Sequence, residues 1–149
     1  MRARYVHTNL IARDWRALAG FYQRVFGCEP VGPERELGGE WLASGTGVPG
    51  ARLRGRHLRL PGHGERGPTL EIFEYAEVLP GCGPAANRAG FGHLAFEVEQ
   101  VAEAVRSVVA AGGAEHGAVV THEVAGVGVL TFAYVRDPEG NLIELQAWS

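Results

Sequence analysis

The sequence predicts an α+β chain made of two βαβββ modules, each a strand, a helix and three further strands. Three observations lead to this. An extended, alternating stretch followed by a helical apolar stripe occurs near the start, and the same pattern begins again after residue 90. Sliding His93 onto His7 also brings Gly113 onto Gly27, because each glycine lies twenty positions after its histidine. Both halves then close on a strand with a carboxylate between aliphatics, Leu70-Glu71-Ile72 and Ile143-Glu144-Leu145. A repeat of this kind implies one supersecondary unit used twice. The expectation is a single domain over 1–149, with module 1 at 1–77, a linker at 78–89 and module 2 at 90–149.

Taken in order, Arg4 to Ile11 reads as a strand with Tyr5, His7, Asn9 and Ile11 on one face and Val6, Thr8 and Leu10 on the other. Asp14 is placed to cap a helix whose Trp15, Leu18, Phe21, Tyr22 and Val25 recur at helical steps, and Gly27 is placed to end it. Between Val31 and Gly67 glycine, proline and arginine abound. Extended pieces near Glu40 to Ser44 and Arg52 to Leu60, joined by loops, fit this stretch better than a second helix. Arg52, Arg54 and Arg56 alternate along one strand face and read as a solvated edge. Thr69 to Tyr75 returns as a strand with Glu71 and Phe73 facing one way, which sends Glu74 to the other face, at the solvent end.

Val78 to Gly90 has no periodicity and reads as the linker. Phe91 to Val98 is then a strand carrying His93, and Val101, Val105, Val108 and Val109 mark a helix without a good N-cap that ends at Gly112-Gly113. Extended segments around Ala118 to Glu123 and Val127 to Val135 follow. The turn Asp137-Pro138-Glu139-Gly140-Asn141 then leads into the last strand.

Composition narrows the function. With 46% hydrophobic residues in 149 the chain can bury a core, and its net charge of −3 provides no basic patch for nucleic acid. All fourteen basic residues are arginine, which removes Schiff-base chemistry and the phosphate-loop lysine. The two cysteines, Cys28 and Cys82, are far apart and suggest neither a disulfide framework nor thiolate metal binding. With no apolar leader or membrane-length segment, a cytoplasmic protein that does not engage a membrane is expected.

His7, Glu71, His93 and Glu144 thus occupy repeat-related positions and form a candidate divalent-metal site. Imidazole and carboxylate donors suit Zn, Ni, Co, Mn or Fe. A lone strand histidine is more often a hydrogen-bonded residue than a ligand, and it is the pairing through the repeat that points to a metal. His57, His63, His116 and His122 have no evident counterpart in the repeat and are left out of the set.

Tyr5-Val6-His7-Thr8-Asn9-Leu10, Phe21-Tyr22 with Phe26-Gly27, Leu70-Glu71-Ile72, Gly92-His93-Leu94-Ala95-Phe96-Glu97-Val98 and Asp137-Pro138-Glu139-Gly140 through Leu145 resemble the vicinal oxygen chelate superfamily, from Tyr5 to Gln146. That superfamily includes glyoxalase I, methylmalonyl-CoA epimerase, extradiol dioxygenases and the fosfomycin and bleomycin resistance proteins. The resemblance implies a glyoxalase-like fold, in which the two βαβββ modules form a curved mixed sheet around a metal site, and one divalent metal held by His7, Glu71, His93 and Glu144. Four protein ligands leave two positions of a six-coordinate ion open. Two open positions suit a small molecule with vicinal oxygens and disfavour dioxygen chemistry or thiol addition to fosfomycin, which use three protein ligands. The implied activity is that of a metal-dependent isomerase, epimerase or lyase of the glyoxalase I or methylmalonyl-CoA epimerase kind. It would move a proton α to a carbonyl, with Glu144 as base and Glu71 as its partner for reprotonation. The competing readings are a metal-free, ligand-sequestering resistance protein and, less favoured, an Fe(II) extradiol dioxygenase. A homodimer is expected, because open sheet edges need covering.

Overall fold

The computed structural model describes residues 1–149. The fold is α+β, with three helices and two mixed sheets, and the chain divides into two compact units, Met1–Pro80 and Gly81–Ser149.

In the first unit the elements are β1 (His7–Ile11), α1 (Trp15–Phe26), β2 (Glu29–Gly38), α2 (Glu40–Thr46), β3 (Arg52–Arg59) and β4 (Thr69–Tyr75). The strand order is β1-β4-β3-β2, with β1 parallel to β4 and the other pairs antiparallel. Helix α1 forms where expected. Asp14 Oδ1 accepts the Ala17 N–H at 3.0 Å, and Gly27 ends the helix at φ 66°. Trp15, Leu18, Phe21 and Tyr22 are buried on α1, as are Leu58, Leu70 and Ile72 on the sheet face it covers. Each of these sheet residues, when fully buried, contributes about 1.5–3 kcal/mol from apolar burial.

Three expectations for this unit fail. Glu40 to Ser44 is not extended but belongs to α2, a seven-residue helix. Gly39 at φ 101° breaks off β2, Gly47 at φ 71° ends the helix, and only Leu42 within it is buried, so there is too little apolar stripe to betray a helical period. Packing supplies its stability instead, for Leu42 joins Ala51, Leu53 and Phe73 in a small second core. The arginine row is not on an edge either. Strand β3 lies between β2 and β4, and Arg54 binds Glu74 with Nη2 to Oε1 at 2.6 Å. Glu74 is accordingly no solvent-end residue. Its side chain is 16% exposed, and its other oxygen accepts the Trp15 N–H at 3.3 Å, at the start of α1.

The second unit comprises β5 (Leu94–Glu97), α3 (Val101–Ala110), β6 (Ala114–Glu115), β7 (Val120–Val124), β8 (Gly128–Arg136) and β9 (Leu142–Trp148). Its sheet runs β5-β9-β8, with β6 and β7 both pairing to β8, and β5 is parallel to β9. Val101, Val105 and Val108 of α3 are buried, as are Ala133, Val135, Ile143 and Leu145 on the strands it packs against. The α3 N-terminus has no side-chain cap, as its sequence suggested. Strand β5 is shorter than expected and begins just after His93, where Gly90 and Gly92 interrupt the pairing.

Candidate functional site: two histidine–glutamate clusters

Register determines which side chains share a face. In β1 and β4 the parallel pairing sets His7 opposite Thr69 and Asn9 opposite Glu71, so His7, Asn9 and Glu71 project from the face that α1 does not cover. The antiparallel pairing of β3 with β4 sets His57 opposite Glu71 on that same face. His7 Nε2 is 3.4 Å from Glu71 Oε2, which also accepts Asn9 Nδ2 at 2.9 Å, and His57 Nε2 is 3.1 Å from Glu71 Oε1. Both oxygens of Glu71 are therefore engaged. The other ring nitrogen of His57 lies 3.1 Å from Thr69 Oγ1, which fixes the imidazole plane. Burial lowers the His57 pKa, the adjacent Glu71 carboxylate opposes that shift, and His7 and Arg35 add to it. His57 thus faces Glu71 as a neutral ring above its lowered pKa.

The second unit repeats the design with one substitution and one omission. Ala95 on β5 is opposite Glu144 on β9 where the first unit has Asn9 opposite Glu71, and Tyr134 on β8 is opposite Glu144 where the first unit has His57. His93 Nε2 is 3.0 Å from Glu144 Oε2, and the Tyr134 hydroxyl donates to the same oxygen at 3.3 Å. The His93 and Tyr134 rings meet edge to face at 5.1 Å. Desolvation first, and then the Glu144 charge and hydrogen bond, raise the Tyr134 pKa, so the phenol keeps its proton and remains a donor. Glu144 is held through one oxygen, whereas Glu71 is held through two.

The entry to β9 is fixed by the loop before it. Asp137, 3% exposed, accepts the backbone N–H groups of Glu139 and Asn141 at 2.9 Å each on Oδ1 and Asn141 Nδ2 at 2.8 Å on Oδ2. Gly140, at φ 91°, completes the turn. The Asp-Pro-Glu-Gly-Asn motif is thus a clamp that sets the register of Glu144 and does not itself reach the cluster.

The structure therefore brings His7 to Glu71 and His93 to Glu144, each pair within its own unit. Two donors about 2.1 Å from one cation stand about 3.0 Å apart at a right angle and about 3.4 Å apart at the tetrahedral angle, so both pairs have the spacing of neighbouring metal ligands. No group of three or more His, Cys, Asp or Glu side chains has the geometry of a metal centre. His7 and His57 reach different oxygens of Glu71 and do not converge.

Two site residues escaped the sequence. His57 has a repeat counterpart after all, Tyr134, but the hairpins between these residues and their glutamates differ in length. His57 precedes Glu71 by fourteen residues and Tyr134 precedes Glu144 by ten, so alignment by spacing misses the match. Counting antiparallel partners back from each turn would have found both.

A pocket of about 340 Å³ adjoins Glu71 within the first unit, between the sheet and α2. A larger one of about 440 Å³ lies elsewhere in that unit, around Glu36, Arg54 and Glu74, and touches none of the cluster residues.

A sequence model of the Glyoxalase/Bleomycin resistance protein/Dioxygenase superfamily matches residues 4–145. Among solved structures, a glyoxalase family protein from Bacillus cereus is 19% identical with a TM-score of 0.84, over 99% of this chain and 95% of that one. The fosfomycin resistance protein FosX from Listeria monocytogenes, complexed with Mn(II) and sulfate, is 19% identical with a TM-score of 0.55, over 100% and 95% of the two chains. A glyoxalase/bleomycin resistance protein/dioxygenase family enzyme from Burkholderia phytofirmans is 20% identical with a TM-score of 0.56, over 99% and 100%. At these identities the likeness is one of fold. No curated protein matches the chain.

Proposed function

The chain belongs to the Glyoxalase/Bleomycin resistance protein/Dioxygenase superfamily, and from that premise we propose that it is a metal-dependent isomerase, epimerase or lyase that moves a proton α to a carbonyl. His7 with Glu71, and His93 with Glu144, are proposed as ligands of a divalent cation, one of Zn, Ni, Co, Mn or Fe. The pair spacings of 3.4 and 3.0 Å and the nitrogen and oxygen donor set support this. When bound, such an ion would act as a Lewis acid on a substrate with vicinal oxygens and stabilise the charge that develops on the carbonyl oxygen.

The observation that carries the reading is the unequal fastening of the two glutamates. Asn9 on one oxygen and His57 on the other hold Glu71, apart from the His7 nitrogen that would face the cation, and this suits a fixed ligand. Glu144 has one oxygen engaged and one without a partner, and the free oxygen suits a general base that takes a proton from carbon. Tyr134, protonated and hydrogen-bonded to Glu144, keeps the carboxylate aimed while it exchanges that proton. Returning the proton through Glu71 would require that residue first to release Asn9 or His57. A homodimer is proposed as well, because β1 and β2 bound one sheet and β5 and β7 flank the other, each with an unpaired edge.

The test is deuterium wash-in from solvent, followed by NMR, with α-hydroxyketones, hemithioacetals and acyl thioesters and with metal added. Exchange at one carbon is expected, and Glu144→Gln should slow it by about 10²–10⁴-fold with the cation still bound. Unchanged exchange in a metal-loaded Glu144→Gln protein would refute the assignment. Protein that binds no divalent cation but retains a small molecule would favour the sequestering alternative.

A further inference from the structure

The face of the first sheet that carries Glu71 is only half open, because α2 covers its other half. Along that face the cross-strand rows run from His57 and Glu71, through Arg35, Gly55 and Phe73, to Leu37, Leu53 and Tyr75. Successive rows are about 6.6 Å apart, two residues along a strand. The pocket of about 340 Å³ spans these rows from Glu71 to beneath Leu42. That is roughly twice the ~150 Å³ cavity that accepts a benzene ring, so it has room for a ring and one further group.

Its lining is apolar on the floor and under the helix, from Phe73, Leu53 and Leu42. Trp41, 63% exposed, stands at the rim. One lining residue carries a positive charge. Arg35 lies in the row next to His57, and no carboxylate is paired with it, unlike Arg16, Arg54 and Arg59, which bind Glu34, Glu74 and Glu29. An exposed hydrophobic rim, an apolar floor and an unpaired guanidinium form a site for a flat apolar group with an anionic end.

The floor itself depends on a glycine. Gly55 has φ 156°, and a Cβ there would lie 2.0 Å from Ile72 O and 2.5 Å from Phe73 Cδ1. The Phe73 ring therefore occupies the space that a side chain at position 55 would need, and Phe73 in turn lines the pocket.

We propose that the pocket beneath α2 binds the side arm of the substrate, an aromatic or branched apolar group bearing a carboxylate or similar anion that pairs with Arg35. The proposal rests on the reading of Glu71 as the adjoining metal ligand, since that is what would place the reacting oxygens at the mouth of the pocket. It specifies an aryl or branched acyl substrate class and assigns Arg35 and Trp41 to specificity.

The test separates the two readings by omitting the metal. Benzoate and acetate are titrated calorimetrically into chelator-treated protein and into its Arg35→Gln and Trp41→Ala variants. Both positions are exposed, so the variants are expected to fold, and circular dichroism checks that they do. Benzoate is expected to bind at least 10-fold more tightly than acetate, and each substitution is expected to weaken benzoate about 10-fold. Equal affinity for acetate and benzoate, no binding of either, or undiminished benzoate affinity in the two variants would overturn the proposal. Because no cation takes part, a failure of the metal reading would leave these results unchanged, and a failure here would leave cation binding by the parent protein unaffected.

Discussion

At the scale of single residues, the structure separates groups that the sequence treats alike. The six histidines look equivalent as letters, yet His7, His57 and His93 face glutamates while the others do not. The two cysteines separate as well. Cys82 is exposed, whereas Cys28 is 3% exposed and burial pushes its pKa up from 9.0 to about 12. Two consequences can be measured. Iodoacetamide at pH 8 should modify Cys82 in the native protein and reach Cys28 only after unfolding, as mass spectrometry would show. Between pH 9 and 12 the unfolded chain loses the Cys28 proton while the folded chain keeps it. The unfolded state then binds fewer protons, so stability falls as pH rises through that window. Urea unfolding of Cys28→Ala should lack this part of the alkaline loss and differ from the parent by a constant amount below pH 8.

At the scale of elements, what was legible in the sequence was whatever carried a period or a cap. Helix α1 had both an apolar stripe and the Asp14 and Gly27 caps, and it formed where they indicated. Helix α2 had neither a stripe nor a side-chain N-cap, and tertiary packing of Leu42 overrode its weak local signal. The arginines of β3 misled for a related reason. Alternating charge resembles a solvated edge when the partner carboxylate, Glu74, lies twenty residues away on the next strand. Gly55 supplies the test at this scale. Gly55→Ala should destabilise the protein by about 2–4 kcal/mol, through overpacking against Phe73 and the Ile72 carbonyl and through strain at φ 156°. In a thermal melt this corresponds to a fall of roughly 4–16 °C. Gly45→Ala, inside α2 with nothing within 4 Å of the new Cβ, should instead stabilise by roughly 0.5–1 kcal/mol.

At the scale of the whole molecule, the internal repeat carried most of the inference. It was legible because β1 with β4, and β5 with β9, pair in parallel in equivalent registers, so the same residue spacings yield the same neighbours twice. What lay outside it were the hairpin partners His57 and Tyr134, whose loops have diverged in length. The repeat is also imperfect at one register position, where Asn9 faces Glu71 and Ala95 faces Glu144. That difference bears on stereochemistry. Two equally mobile carboxylates would let a proton leave one face of a carbon and return to the other, giving inversion and loss of the original hydrogen to solvent. A single mobile carboxylate favours return to the face from which the proton left, with part of the label carried over. On the isomerase form of the proposed reaction, a substrate deuterated at the reacting carbon should give suprafacial transfer with measurable retention of deuterium in product, whereas epimerisation would need both carboxylates to be mobile. Asn9→Ala, which removes the amide restraint on Glu71, should increase both washout and racemisation at that carbon, read by chiral chromatography and NMR. A fully scrambled product from the parent protein would mean that the amide at position 9 does not make the two halves chemically unequal.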